Sequence, residues 1–297
     1  MIDSNTIGIL AALGSAASWS IGAVLFKQLG ESLSSFAMTL MKGAVSVLLL
    51  GLATLLVGGY ANIGRDAYLY LILSGILGVA LSDTFFFSAL KEVSPQMLAL
   101  LLTFGQVLTA LLAVLLLGET LPLQGWMGIA IIVTGITIGM FQSFADKERS
   151  SLRGILFGLI SILSMAVAAI LTKKGLHDTS TLYATFIRML AGTAGMLMVG
   201  ITTRRLGGWV SPFRDWKLAW KFALSVFVIT FGGFWLAIVA FKYTSVVVAN
   251  SLIATEPIFV LPMTAIFLKE KVTLHAAAGA CIATVGVIVL CTSGIVM

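Results

Sequence analysis

Residues 94–119 and 245–270 are two versions of one segment, and this duplication limits the fold more than any other feature of the chain. The later copy reads SVVVANSLIATEPIFVLPMTAIFLKE and the earlier one SPQMLALLLTFGQVLTALLAVLLLGE. At an offset of 151, Ser94 aligns with Ser245, Leu101 with Leu252 and Glu119 with Glu270. Each copy is long enough to cross a bilayer as a helix, for which roughly 20 apolar residues suffice. The later copy carries a carboxylate and a proline at its centre, Glu256-Pro257, with Asn250 between one and two turns earlier. A carboxylate at that depth costs roughly 2.5–3.5 kcal/mol on insertion scales. Pro257 removes a backbone donor and leaves the carbonyl of Ile253 without its usual helical partner. Such a break persists in lipid only where protein or a wet cavity satisfies the freed groups.

The correspondence extends over the whole chain. At an offset of 146, Gly8-Ile9-Leu10 meets Gly154-Ile155-Leu156, Lys27 meets Lys173, Thr39 meets Thr185 and Lys42 meets Arg188. Beyond the second apolar run the offset becomes 151, pairing Ala89 with Ala240, Lys91 with Lys242, Gly128 with Gly279 and Gly135 with Gly286. The change of five fits a longer join before the eighth run. Ten apolar runs are expected as spans, at 6–28, 33–57, 68–90, 95–117, 123–143, 153–173, 180–201, 217–241, 245–268 and 273–295. The polar join from Gln142 to Arg153 divides them into repeats 1–145 and 146–297, five spans each. Five is odd, so the second copy enters the membrane upside down. Inverted repeats of this kind are common among secondary transporters.

Composition excludes the soluble alternatives. The chain is 59% hydrophobic and 10% charged, a balance that no water-exposed surface tolerates. The runs are long and unalternating, whereas barrel strands are about ten residues long with period two. The expected class is therefore an all-α integral membrane protein of ten transmembrane helices, arranged as two inverted five-helix repeats. Its expected place is the cell inner membrane, as a multi-pass protein. The first apolar run follows MIDSN, without a basic region or a small-residue cleavage site, and is read as a retained span. The net charge of +6 does not point to nucleic acid, because the basic residues sit at helix ends with no aromatic-interleaved patch. Twelve lysines and arginines flank odd-numbered joins and four flank even ones, which by the positive-inside rule places the odd joins in the cytoplasm and both termini outside. Cys281 and Cys291 lie on one helix about 15 Å apart, too far for a mutual disulfide.

Four ionisable residues fall well inside the runs: Lys42, Asp83, Arg188 and Glu256. One reading has them line a polar cavity and hold the charged ends of a solute. The other has the two bases pair structurally with the acids, or snorkel to an interface along their aliphatic stems. Asp83 stands between Ser82 and Thr84 and is followed by Phe85-Phe86-Phe87; an acid beside aromatics suits an ammonium group, or a hydrogen bond to a neighbouring helix. Trp19, Trp235 and the phenylalanines fit an apolar solute or simple packing. Gln106 and Asn250 offer amides, which also join helices. Asn250 and Glu256 lie about 120° apart around a helix axis, so both need not face one cavity. Glu119 and Glu270 close the fourth and ninth runs, where a carboxylate can hold loop amides or a neighbouring helix N-terminus.

Catalytic and cofactor chemistry have little support. His177 and His275 are isolated from any Cys/His cluster, so no metal is expected. No GxxxxGK[ST] stretch cradles ATP, and no Ser/His/Asp or HExxH arrangement suggests an enzyme. No cofactor is expected. The expected partners are a small-molecule substrate and membrane lipid, with a monomer sufficient and no nucleic acid.

Leu117-Gly118-Glu119 followed by Gly128 and Gly135, repeated as Leu268-Lys269-Glu270 followed by Gly279 and Gly286, resembles the drug/metabolite transporter superfamily and its EamA-type ten-helix exporters. Lys269 departs from the family's usual glycine. Within that group the chain looks most like the YddG-type exporters of aromatic and other amino acids. The resemblance implies a central cavity formed largely by spans three, four, eight and nine, which puts Ser82, Asp83, Phe86, Thr103, Gln106, Trp235, Asn250 and Glu256 on its lining. It implies cytoplasmic termini, against the charge count. The expected function is secondary transport of small metabolites outward by alternating access, with aromatic or neutral amino acids as the favoured class. Asp83 or Glu256 would face the ammonium, and Lys42 or Arg188 the carboxylate. A phosphorylated sugar or nucleotide-sugar held by Lys42 and Arg188 is the alternative solute. A non-transporting scaffold or receptor is the alternative class.

Overall fold

The computed structural model describes residues 3–30, 32–57, 63–93, 95–145, 151–177, 179–267 and 274–291. Its long helices are α1 (Ser4–Leu29), α2 (Ser35–Val57), α3 (Arg65–Glu92), α4 (Pro95–Leu117), α5 (Leu123–Ala145), α6 (Leu152–Gly175), α7 (Thr181–Thr202), α8 (Trp216–Tyr243), α9 (Val246–Phe267) and α10 (Leu274–Cys291). No strand is present among the described residues. Helices α1, α2, α3, α6, α7, α8 and α9 are long and apolar enough to cross a membrane. Shorter apolar stretches lie on α4, α5 and α10, at Leu108–Leu117, Leu123–Gly135 and Ala277–Leu290. Starts are marked by the chemistry expected at helix N-termini, where a side-chain oxygen satisfies an orphan amide. Ser151, Ser180, Asp215 and Ser245 each accept a backbone N–H in the first turn of α6, α7, α8 and α9.

Corresponding helices of the two halves make corresponding contacts. Helix α1 packs on α8 and α9, and α6 packs on α3 and α4. Helix α2 meets its counterpart α7, α4 meets α9, and α5 lies along α10. The α5–α10 seam is glycine-lined: a Cβ on Gly135 would sit 2.4 Å from the amide nitrogen of Ala283, and one on Gly286 would sit 2.6 Å from that of Ile132. Small residues permit this approach of backbones, which dispersion then stabilises.

The same correspondence governs the polar contacts at helix ends. Lys27 Nζ donates to the carbonyls of Leu90 and Val93 at the end of α3, and Lys173 Nζ donates to those of Phe241 and Thr244 at the end of α8. Lys91 reaches the carbonyl of Leu33, and Lys242 reaches that of Thr179. Every residue in the first member of each pair has its counterpart in the second at the sequence offsets. An ammonium there satisfies carbonyls that the helix leaves without partners. The extra length before α8 is a short helix, Leu206–Val210, with a 3₁₀ turn at Ser211–Arg214.

Among the described residues three helices are irregular. Helix α3 contains a π-helical segment at Ile76–Leu81, and α8 contains one at Val228–Trp235. Helix α9 is interrupted at Ala254-Thr255, where Thr255 N–H bonds the carbonyl of Leu252, and Ile258 N–H bonds that of Thr255. The interruption falls just before Glu256-Pro257, as the missing donor of proline requires. Helix α4 passes the corresponding position without a break.

Candidate functional site

All three irregularities converge on the middle of the bundle. Ser82 and Asp83 begin the α-helical second half of α3, directly after its π segment. Glu256 begins the second half of α9, directly after the interruption. π Segments are frequent at functional sites because the inserted residue re-aims the side chains that follow. A carboxylate at a helix N-terminus is stabilised by the unpaired amides there. The backbone around the site is satisfied from α1 and α6: Ser15 Oγ donates to the carbonyl of Gly233 at 2.9 Å, and Ser161 Oγ donates to that of Ser82 at 3.0 Å. Ser20 Oγ donates to the carbonyl of Glu256 at 2.8 Å.

These elements enclose a cavity lined by Trp19, Ser82, Asp83, Phe86, Leu102, Ser161, Met165, Ile253 and Glu256. The centres of water molecules have about 20 Å³ available between these residues, room for one or two waters. A larger solute enters this space only when its walls move. Toward the start of α9 the bundle is packed solid: every residue from Val246 to Glu256 is buried, against Ala11, Ala12, Ala110 and Ala113.

Two acids face the cavity in different circumstances. Asp83 is ion-paired to Lys42 Nζ, the one such pair among the described residues. Lys42 is 1% exposed and lies behind Asp83, with its ammonium over the Phe234 ring at 4.3 Å from the centroid. Arg188 interacts electrostatically with both and donates from Nε to Ser74 Oγ at 3.0 Å. The Glu256 carboxylate has neither hydrogen bond nor ion pair among the described residues. Trp19 stands edge-on to Phe86 and Phe234, giving the cavity an aromatic wall beside its two carboxylates.

The expected site residues are thus sorted. Ser82, Asp83, Phe86 and Glu256 line the cavity; Lys42 and Arg188 stand behind Asp83. Trp235 is turned to α7, where its Nε1 donates to Thr181 Oγ1 at 3.2 Å, and is absent from the lining. Asn250 is buried and donates back to the carbonyl of Val246, serving its own helix. The side chains of Thr103 and Gln106 lie outside the described residues. Glu119, read from sequence as a holder of amides, accepts the N–H groups of Val246 and Val247 at 2.9 Å each; Glu270 lies outside the described residues. Ser161 and Met165 were not anticipated, because no residue of the sixth span was among those expected on the lining. The pairing of Ser15 with Ser161 at offset 146 was available as a signal.

Comparison with known proteins identifies the architecture. The profile of the EamA-like transporter family matches residues 6–141 and again residues 152–292. The chain belongs to the EamA-like transporter family. Each match covers one of the two halves that repeat in sequence and in contacts, so this EamA-like protein is an all-α membrane protein of two repeats and a transporter. An "Uncharacterized transporter" of Archaeoglobus fulgidus is 27% identical over 218 residues, 72% of this chain and 75% of that protein. A second from the same organism is 24% identical over 95% of this chain and 97% of that one. An "Uncharacterized transporter YyaM" of Bacillus subtilis is 25% identical over 49% of this chain and 48% of its own. A solved crystal structure superposes with a TM-score of 0.72 at 16% identity, covering 97% of this chain and 98% of the other, which establishes the likeness of fold.

Proposed function

We propose that this EamA-like transporter carries small solutes that join an ammonium group to an apolar or aromatic body, with amino acids as the favoured class. Movement is outward across the cell inner membrane by alternating access, through ten spans arranged as inverted repeats 1–145 and 146–297. The observation that carries the solute class is Glu256, a buried carboxylate on the cavity wall without a counter-cation among the described residues, close to Trp19 and Phe86. An ammonium supplies the missing charge, and the aromatic wall accepts both the cation and an apolar side chain. Asp83, already neutralised by Lys42, contributes hydrogen-bonding capacity. Phosphorylated solutes fit poorly, since both acids face the cavity and both bases stand behind Asp83.

Purified protein in proteoliposomes tests this with a radiolabelled panel of aromatic and neutral amino acids, simple amines and sugar phosphates, with and without a pH gradient. Amino acids or amines are expected to move and to compete with one another, and sugar phosphates to do neither. A charge-assisted hydrogen bond contributes about 1.5–3 kcal/mol, so Glu256→Gln should raise the half-saturating concentration roughly 10- to 100-fold. Wild-type half-saturation in Glu256→Gln, or competition by sugar phosphates alone, overturns the assignment.

A further inference from the structure

At the opposite end of the bundle from Glu119, the end of α1 and the start of α8 form a groove lined by Leu25, Gln28, Leu29, Ser32, Asp215, Lys217, Leu218, Lys221, Leu224 and Ser225. Water centres have about 640 Å³ available in it, far more than in the central cavity. Its polarity is graded along the helices. Gln28 lies in the last turn of α1 and Ser32 just beyond it, with Leu25 deeper; Asp215 caps α8 and Lys217 lies in its first turn, with Leu224 deeper. Lys217 and Lys221 are one helical turn apart and so project to the same side. Both are exposed, and neither ammonium has an ion pair among the described residues. Beside them Trp216 and Trp220 are 76% and 60% exposed and stack on one another. Paired exposed indoles at the end of a span mark the headgroup level of a bilayer.

We propose that this groove is a binding site for an anionic phospholipid, distinct from the transport cavity and independent of which solute is carried. Lys217 and Lys221 take the phosphate and anionic headgroup, Gln28 and Ser32 hydrogen-bond the headgroup and glycerol oxygens, and an acyl chain runs down over Leu25, Leu29 and Leu224. A free phosphate compound would satisfy the lysines and leave the leucine floor uncovered; a zwitterionic lipid would cover the leucines and bring a second cation to the lysines. Among the described residues Asp215 is the one acid on the lining, and it opposes the headgroup. Its carboxylate is engaged as the cap of α8, accepting from the amide of Lys217 at 3.0 Å. Because α8 also carries the π segment and packs along α1 beside the cavity, lipid in the groove holds together two helices that form the site.

The test uses full-length protein in mixed vesicles and reads tryptophan quenching by brominated phosphatidylglycerol against brominated phosphatidylcholine. Each lysine near a membrane surface contributes about 1 kcal/mol toward anionic lipid, so the wild type should favour phosphatidylglycerol by roughly 5- to 25-fold. Lys217→Gln/Lys221→Gln should bring the ratio close to one while leaving the melting temperature in phosphatidylcholine unchanged, since both side chains are exposed. Asp215→Asn keeps a capping oxygen and should increase the preference. Equal affinity for the two lipids in the wild type, or an undiminished preference in the double variant, overturns the proposal. So does quenching protection by soluble glycerol phosphate at concentrations comparable to the lipid.

Discussion

The Lys42–Asp83 pair is buried inside the bundle, and its energetics differ from those of a surface ion pair. Removing one partner leaves an uncompensated charge in a low-dielectric interior, which costs about 3–5 kcal/mol. Replacing both with apolar groups removes the desolvation penalty along with the attraction and is often close to neutral. Lys42→Met should therefore lower the melting temperature of the detergent-purified protein sharply, and Lys42→Met/Asp83→Leu should recover most of the loss. A double variant as unstable as the single one would mean that the ammonium's contacts with the Phe87 and Phe234 rings matter more than its pairing with Asp83. The sequence made this pair visible as two ionisable residues inside apolar runs, because a lone charge there is too costly to be idle. It could not say which base met which acid. Arg188, the repeat counterpart of Lys42, turned to Ser74 instead. The second half offers no acid opposite it, since the counterpart of Asp83 lies among glycines and aromatics at Gly233-Phe234.

Helices were legible almost to their ends, since apolar runs broken by short polar joins leave few other places to start or stop. Their internal irregularities were legible only where a residue type enforces one. Pro257 announced the interruption in α9, but nothing in Ile76–Leu81 or Val228–Trp235 encodes a π segment. Each inserted residue turns the following side chains by about 100° relative to a regular helix, which is why Trp235 could not be placed from the helical pattern alone. The glycines matched at offset 151 belong to a clearer rule. Gly135 and Gly286 bring α5 and α10 backbone to backbone, and the atoms a Cβ on Gly135 would strike are main-chain atoms that cannot rotate aside. Overpacking a fitted contact costs typically 1–3 kcal/mol, so Gly135→Ala should destabilise the protein by about that amount in thermal unfolding. Because the α5–α10 seam is separate from the cavity lining, solute half-saturation in the surviving folded fraction should stay at the wild-type value. A Gly135→Ala protein of unchanged melting temperature would show that the seam gives way more easily than its backbone contacts imply.

At the scale of the whole molecule, the two halves repeat many of each other's contacts, but the latch made by Glu119 is not among them. Glu119, at the end of α4, accepts two backbone N–H groups at the start of α9, from Val246 and Val247. In the other half the residue matched with Val246 is Pro95, which has no N–H to give, so the two-bond latch cannot be copied there. An exchange of conformations between the halves, as proposed for transport, is therefore biased by about one charge-assisted hydrogen bond, roughly 1.5–3 kcal/mol. The favoured state is the one seen here, with the start of α9 buried from Val246 to Glu256. Glu119→Ala should shift the balance toward states in which that segment is reachable from its own end of the bundle. Ser251→Cys is a conservative reporter, 5% exposed in this state, in a background where Cys281 and Cys291 are replaced by serine. A membrane-impermeant thiol reagent should label it slowly with Glu119 present and roughly 10-fold faster or more in Glu119→Ala. Pro95→Val with Glu119 intact supplies the missing donor to the other half and should also speed labelling. Unchanged labelling in both variants, with only a lower melting temperature in Glu119→Ala, would reduce Glu119 to a local cap and require the preference for this state to come from the apolar packing around α9.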